Sequence, residues 1–156
     1  MNDVDPFNLG RFVAAQDPVF EAVLAELRAG RKRSHWMWFI FPQLRDLGRS
    51  PTAMFYGIDG IGEARAFLAH ATLGPRLDLA TAAALESGQR SLRTLFGSPD
   101  DLKFCSSMTL FDCAAGGGDT RFVAALRVFA DGRRDERTLA LLEEGREAGT
   151  AMVPDR

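Results

Sequence analysis

Strand signals are scarce in this sequence. No alternating run of β-branched residues lies between Asn-Gly or Asp-Gly turns, and valine and threonine are scattered through alanine-rich periodic segments. A sheet-based fold therefore has no raw material, and helices must make the core. Cysteine is almost absent as well. Cys105 and Cys113 stand eight positions apart, about two turns on one helix and too far to bridge, so both read as small reduced core residues. With two histidines, His35 and His70, and no Cys-x-x-Cys pair, there is no ligand set for a zinc site, and no metal or other cofactor is expected.

Neither sign of charge dominates. The 19 basic and 21 acidic residues give a formal charge of -2, too balanced for a protein that coats nucleic acid, so any cationic site must be local. The start, "MNDVDPFNLG", lacks the basic residues and apolar run of a secretory signal, and no segment approaches the roughly 18 apolar residues of a membrane span. A soluble cytoplasmic protein with no membrane partner is expected, and without a long heptad seam it is expected to be a monomer.

What the chain does have is a core-sized apolar content and frequent helix punctuation. At 156 residues and 46% hydrophobic, it suits one domain that folds without metals or disulfides. Asp5 and Pro6 open a helix from about Phe7 to Ala15. "QDPVFEAVLAELRAG" offers Asp17 as N-cap, Pro18 at the first helical position, apolar residues at 19, 20, 23, 24 and 27, and Gly30 as terminator. "GEARAFLAHA" and "GPRLDLATAAALESG" follow, then one or two turns in "SLRTLFG". "SPDDLKFCSSMTLFDCA" predicts a helix capped by Ser98 with Pro99 first, and Asp119 and Asp135 open two more. "WMWFIF" could be a buried strand or a buried helix by periodicity alone. A lone strand has no partner, so it reads as a short helix opened by Ser34 and ended at Pro42. The expected architecture is all-α, a compact single-domain bundle of about seven to eight short helices over 5–145. The stretch 146–156, without a periodic apolar face, is expected to be a flexible tail.

The unusual chemistry lies in "RKRSHWMWFIFPQ", residues 31 to 43. Arg28, Arg31, Lys32 and Arg33 come without an intervening acid, and Ser34 follows, a combination suited to phosphate or carboxylate. Trp36 and Trp38 offer stacking faces, Gln43 adds an amide, and His35 could carry a proton near neutral pH. The plain alternative is a solvated basic connector beside core aromatics. Against it, two indoles and an imidazole within four residues bring several N–H groups that need partners if buried. A second candidate is "DDLKFCSSMTLFD": on a helix Lys103 and Ser107 share a face, Ser106 lies three positions beyond Lys103, and Leu102, Met108 and Phe111 can serve a packed side. Its plain alternative is a polar stripe with serine bonding back to a carbonyl. Paired carboxylates such as Asp100 and Asp101 suit a helix N-terminus, which is cause enough for their presence.

With "SHWMWFIFPQL" and "DDLKFCSSMTLF" both in view, the chain resembles the bacterial family of unknown function DUF1810, over about Asp5 to Leu142. The resemblance implies a compact all-helical domain. It picks out Lys32, Ser34, His35, Trp36, Trp38, Pro42 and Gln43 in one block, and Lys103, Ser106, Ser107 and Phe111 in the other. Gly60 stands where relatives tend to have a helix-capping serine, and the two cysteines look particular to this chain.

The functional expectation is that the two blocks meet around a pocket for a small anionic, ring-bearing ligand, with a nucleotide, sugar phosphate or ADP-ribose derivative as the candidate class. Lys32 and Lys103 would hold phosphate, Trp36 or Trp38 would stack, Ser34, Ser106, Ser107 and Gln43 would line and orient, and His35 would assist any hydrolysis. Whether there is catalysis is left open. The competing expectation is a non-enzymatic module that binds a protein or single-stranded nucleic acid through the basic aromatic segment, nucleic acid being the less favoured partner.

Overall fold

Helix breakers set most changes of direction along the chain. The computed structural model describes residues 4–152, with side chains described to 146. Asp5 opens the bundle: its carboxylate accepts the N–H groups of Leu9 at 2.7 Å and Gly10 at 2.9 Å, at the start of α1 (Gly10–Gln16). These two backbone donors hold the Asp5 carboxyl below its ordinary value. α2 (Phe20–Arg28) buries Phe20, Val23, Leu24 and Leu27, the stripe expected from spacing. Gly30 ends the run in the left-handed region, with φ +81°, where a side chain would be strained.

The remaining elements are α3 (Met37–Ile40), a 3-10 turn (Arg45–Leu47), α4 (Pro51–Tyr56), α5 (Ile61–Ala69), α6 (Leu73–Glu86), α7 (Leu92–Phe96), α8 (Asp100–Ala114), α9 (Arg121–Ala130) and α10 (Glu136–Met152). The described residues thus hold ten α-helices, more than the seven to eight expected. Two of the short pieces, α3 and α7, are expected from "WMWFIF" and "SLRTLFG"; the third, α4, is not. α4 has no counterpart among the expected helices: it has the Ser-Pro opening, with Ser50 Oγ accepting the Ala53 N–H at 3.1 Å, but no buried residue and hence no apolar stripe. "WMWFIF" is a helix, α3, although Trp36 rather than Ser34 precedes it. Among the described residues β pairing is limited to one isolated bridge, Leu44 with Ile58.

Several caps differ from expectation. Residues 17–19 form a turn, so α2 starts at Phe20. α8 follows Pro99 without a side-chain cap, leaving Ser98 uninvolved. Thr120, not Asp119, caps α9 through the Val123 N–H at 3.0 Å. Asp135 does cap α10, accepting the Thr138 N–H at 3.0 Å. α10 continues through Gly145 to Met152, so the boundary drawn at 145 is not a helix end; residues 153–156 of the expected tail lie outside the described residues. No described helix is long and apolar enough to cross a membrane.

α8 is the spine, packed against α5, α7, α9 and α10. Its Phe104 meets Phe96 at 4.8 Å and Phe41 at 5.0 Å between ring centroids, and its Phe111 meets Phe67 at 5.1 Å. On the far side of the core Arg11 joins three segments. Its guanidinium donates to Glu63 Oε2 at 2.8 Å, to the carbonyls of Phe7 and Gly57 at 2.6 and 3.1 Å, and to that of Phe55 at 2.8 Å. Both side chains of the Arg11–Glu63 pair are nearly closed to solvent, 6% and 2% exposed. Removing one partner strands the other charge, so Arg11→Met is expected to cost about 3–5 kcal/mol in urea unfolding; a loss under about 1 kcal/mol would show that the carbonyls and Glu63 hold these segments without it.

Candidate functional site

The stretch 31–36 is organised by a residue outside it. Glu26 sits near the end of α2, and after Gly30 the chain returns along its carboxylate. Oε1 accepts the N–H groups of Arg33 at 2.7 Å and Ser34 at 3.1 Å and the Trp36 indole N–H at 2.9 Å, while Oε2 accepts the Ser34 hydroxyl at 2.5 Å. Burial pushes this carboxyl up, but the donors from Ser34, Arg33 and Trp36 outweigh it and hold the group at about 2 against an ordinary 4.5. Ser34 and Trp36 are therefore engaged within the protein. Trp36 is only 1% exposed and packs on Phe41 and Phe96. His35 is exposed and makes no hydrogen bond or ion pair among the described residues. His70 is structural: its Nδ1 accepts the Thr72 and Leu73 N–H groups at 3.0 and 3.2 Å.

The arm delivers Lys32 to the start of α8. Its backbone N–H donates to Leu95 O at 2.7 Å, and its ammonium lies 3.0 Å from Asp100 Oδ2 with the side chain 8% exposed. The same nitrogen sits 5.3 Å from the Trp36 ring centroid. Lys103 approaches the other carboxylate oxygen, Oδ1, at 3.6 Å, and lies 5.6 Å from the Trp38 ring. The two sequence blocks thus meet on Asp100, in the order Trp36, Lys32, Asp100, Lys103, Trp38. Two ammonium groups share one carboxylate and leave one positive charge in excess.

Beside Lys103 is a cavity of about 10 Å³, lined by Met37, Trp38, Phe41, Gln43, Tyr56 and Lys103 among others. That is room for about one water. The side-chain amide of Gln43 has no protein partner among the described residues, while the backbone carbonyl of the same residue accepts the Ile58 N–H at 2.9 Å. Trp38, Gln43 and Lys103 are therefore brought together, with Lys32 joined through Asp100. Ser106 and Ser107 do not line this cavity. The Ser106 hydroxyl has two acceptors within reach of its one proton, Leu102 O and Asp135 Oδ2, each at 3.2 Å, on the side facing α10. Ser107 is fully buried, and its Oγ is the one buried side-chain oxygen without a partner among the described residues. Leu102, expected on a packed side, is exposed, whereas Met108 and Phe111 are buried.

Neither cysteine competes as a reactive group. Both are free; burial, then Asp135 and Asp101, pushes the Cys105 thiol up to about 11, and burial with Asp112 raises that of Cys113. No cluster of three potential metal ligands occurs among the described residues. Larger grooves of about 300 and 530 Å³ run beside α10, lined by Ile61 and Leu142 and sharing no residue with the lysine and indole cluster.

Reading from sequence passes over Glu26, Asp100 and Tyr56 as site residues. Glu26 gives one signal, an acid in the last turns of a helix, where the dipole disfavours it. Asp100 gives none, because an acid in a first turn already has a sufficient cause. Tyr56 gives none either.

Fold and site together define a small all-helical protein that gathers two lysines, a carboxylate and two indoles from separate segments. The chain belongs to the DUF1810 family, proteins of unknown function, whose profile matches residues 6–142. It is similar to the conserved hypothetical protein Rv1873 from Mycobacterium tuberculosis, whose crystal structure superposes with a TM-score of 0.86 at 55% sequence identity, covering 89% of this chain and 99% of that one. No curated protein matches it.

Because Glu26 has a depressed carboxyl, the stability it contributes is complete above its ordinary value of 4.5 and is lost as pH falls through about 2. Glu26→Ala is expected to lower stability by about 1–3 kcal/mol at pH 7, chiefly by stranding the Trp36 indole N–H. In urea unfolding, the gap from the parent chain should narrow as pH falls from 4.5 toward 2; a gap independent of pH would remove the charge from this account.

Proposed function

We propose that the Lys32–Asp100–Lys103 cluster and the adjoining Trp38, Gln43 and Tyr56 bind a small anionic, ring-bearing ligand of the nucleotide or ADP-ribose class. The observation that carries this reading is the convergence of two lysines from distant segments on a single carboxylate, with Lys32 nine-tenths buried. Lys103, 25% exposed, is the arm that reaches a phosphate, and Lys32 supplies charge from behind it. The cavity admits a water-sized group, so the ring lies across its mouth on the half-buried Trp38 while the unpartnered Gln43 amide orients it. Trp36 and Ser34 serve this site through the arm, by holding Lys32, and not by touching ligand. Ser106 and Ser107 lie behind it in α8. In a catalytic version, His35 acts from the exposed side of the arm, and His35→Ala then lowers turnover while leaving affinity unchanged. A cytoplasmic monomer of one domain belongs to the same proposal.

One observation favours the competing reading of a protein- or single-strand-binding module: Arg28, Arg31, Arg33 and His35 are all exposed. Stacking on a strand requires accessible rings in succession, however, and Trp36 is closed off, which leaves the half-buried Trp38 as the one available indole.

A thermal-shift series with nucleoside phosphates, ADP-ribose and sugar phosphates tests the proposal. At about one hundred times its dissociation constant a ligand adds about 2.7 kcal/mol, which for a chain of this length raises Tm by about 5–11 °C. Lys103→Met should abolish that shift while changing unliganded stability by about 1 kcal/mol or less, since its ion pair is partly exposed. No shift with any of these compounds overturns the reading; a shift that survives Lys103→Met moves the site elsewhere.

A further inference from the structure

We infer that Asp100 sets the charge of the ligand, restricting the site to phosphate groups with a single negative charge, as in a phosphodiester or pyrophosphate, and excluding a terminal phosphomonoester. This rests on the binding reading above. Each oxygen of the Asp100 carboxylate faces a different ammonium, Oδ2 that of Lys32 at 3.0 Å and Oδ1 that of Lys103 at 3.6 Å. The carboxylate cannot simply swing away to admit a second anion. Lys32 is 8% exposed and fixed over Trp36 at 5.3 Å, so losing its partner would leave an uncompensated charge in a nearly closed place.

An incoming ligand therefore meets the cluster with Asp100 present, and the formal sum of two lysines and one aspartate is one positive charge. A phosphodiester carries one negative charge and neutralises that sum; a pyrophosphate diester spreads its two charges over two phosphorus atoms, so that one meets the cluster while the other stays in solvent. A phosphomonoester carries close to two above its second pKa of about 6. Its second charge would lie against the Asp100 carboxylate without a counter-charge, in a partly desolvated site where like charges are poorly screened. Asp100 thus acts as a charge filter, and the cations alone do not decide which anion is taken.

Two probes with the same base separate this from the binding reading: 3′,5′-cyclic AMP, a diester with one charge, and 5′-AMP, a monoester with close to two at pH 7.5. Calorimetric titration is expected to show the parent chain preferring the cyclic diester by about tenfold or more. Asp100→Asn should shift the ratio of the two dissociation constants toward AMP by about tenfold, while Asp100→Glu keeps the parent ratio. The glutamate variant keeps the inference testable should the asparagine variant fail to fold: a ratio moved toward AMP by Glu, which retains the charge, would overturn it. A parent chain that binds AMP as tightly as the cyclic diester, or an Asp100→Asn variant that binds both with an unchanged ratio, overturns the charge filter and leaves the binding reading standing. If neither probe binds the parent chain or any variant, the charge filter falls, and the binding reading is decided by the ADP-ribose arm of the thermal-shift series.

Discussion

The Glu26 carboxylate is the constraint on which the unusual half of this molecule depends. Between Gly30 and α3 the backbone is in no helix, so the N–H groups of Arg33 and Ser34 have no intrahelical acceptor. Both reach Glu26, as does the indole N–H of Trp36. A buried indole N–H without an acceptor costs about 1–3 kcal/mol, so Trp36 enters the core only because Glu26 is there to meet it. Once Trp36 is fixed against Phe41 and Phe96, the position of Lys32 four residues earlier is fixed too. Packing energy in the core is in this way converted into the placement of a charge.

The same logic recurs on α8, where polar positions follow the aromatic ones. Phe104 locks Phe41 and Phe96 into one cluster, and Lys103, its neighbour in sequence, lands over Trp38. Farther along the helix, Thr109 accepts the Asp135 N–H at 2.8 Å, and Asp112 receives the Arg134 guanidinium and the Thr120 hydroxyl. These bonds tie the starts of α9 and α10 to the spine. Arg11 and Glu63 do the equivalent for α1, α4 and α5 on the other side. Several of the long-range junctions are thus charged groups that gather backbone or hydroxyl partners around them, with the aromatic cluster supplying the burial.

Features of the fold that rest on local chemistry were legible in the sequence: the Asp5 opening, the Gly30 stop and the Asp135 cap each need only neighbours within a few positions. α4 was not legible, since six residues with no buried side chain carry no period. The site divides along the same line. Residue types in the two blocks marked Lys32, Trp38, Gln43 and Lys103 as odd for a plain core, and the structure brings these four near one another. Ser34 and Trp36 looked just as odd, but the acceptor that engages them lies eight and ten positions upstream on another helix, and Ser106 is engaged 29 positions downstream. The sequence shows that a donor needs a partner; which partner it finds is a matter of tertiary structure.

The pairing of lysines with indoles explains why a surplus charge can persist at this point. A lysine stem loses up to about 2 kcal/mol of rotamer entropy when fixed, a cost that an isolated ion pair near a surface rarely offsets. Here the ammonium groups lie 5.3 and 5.6 Å from the indole centroids, so attraction to the ring face does part of the fixing. The ammonium groups are thereby held in place by the protein itself. Leucines at 36 and 38 would keep the segment apolar but fill less of the core, give the ammonium groups no ring face and leave the Glu26 carboxylate short of one donor. The aromatic character of this segment is accounted for by what it does to the two lysines beside it.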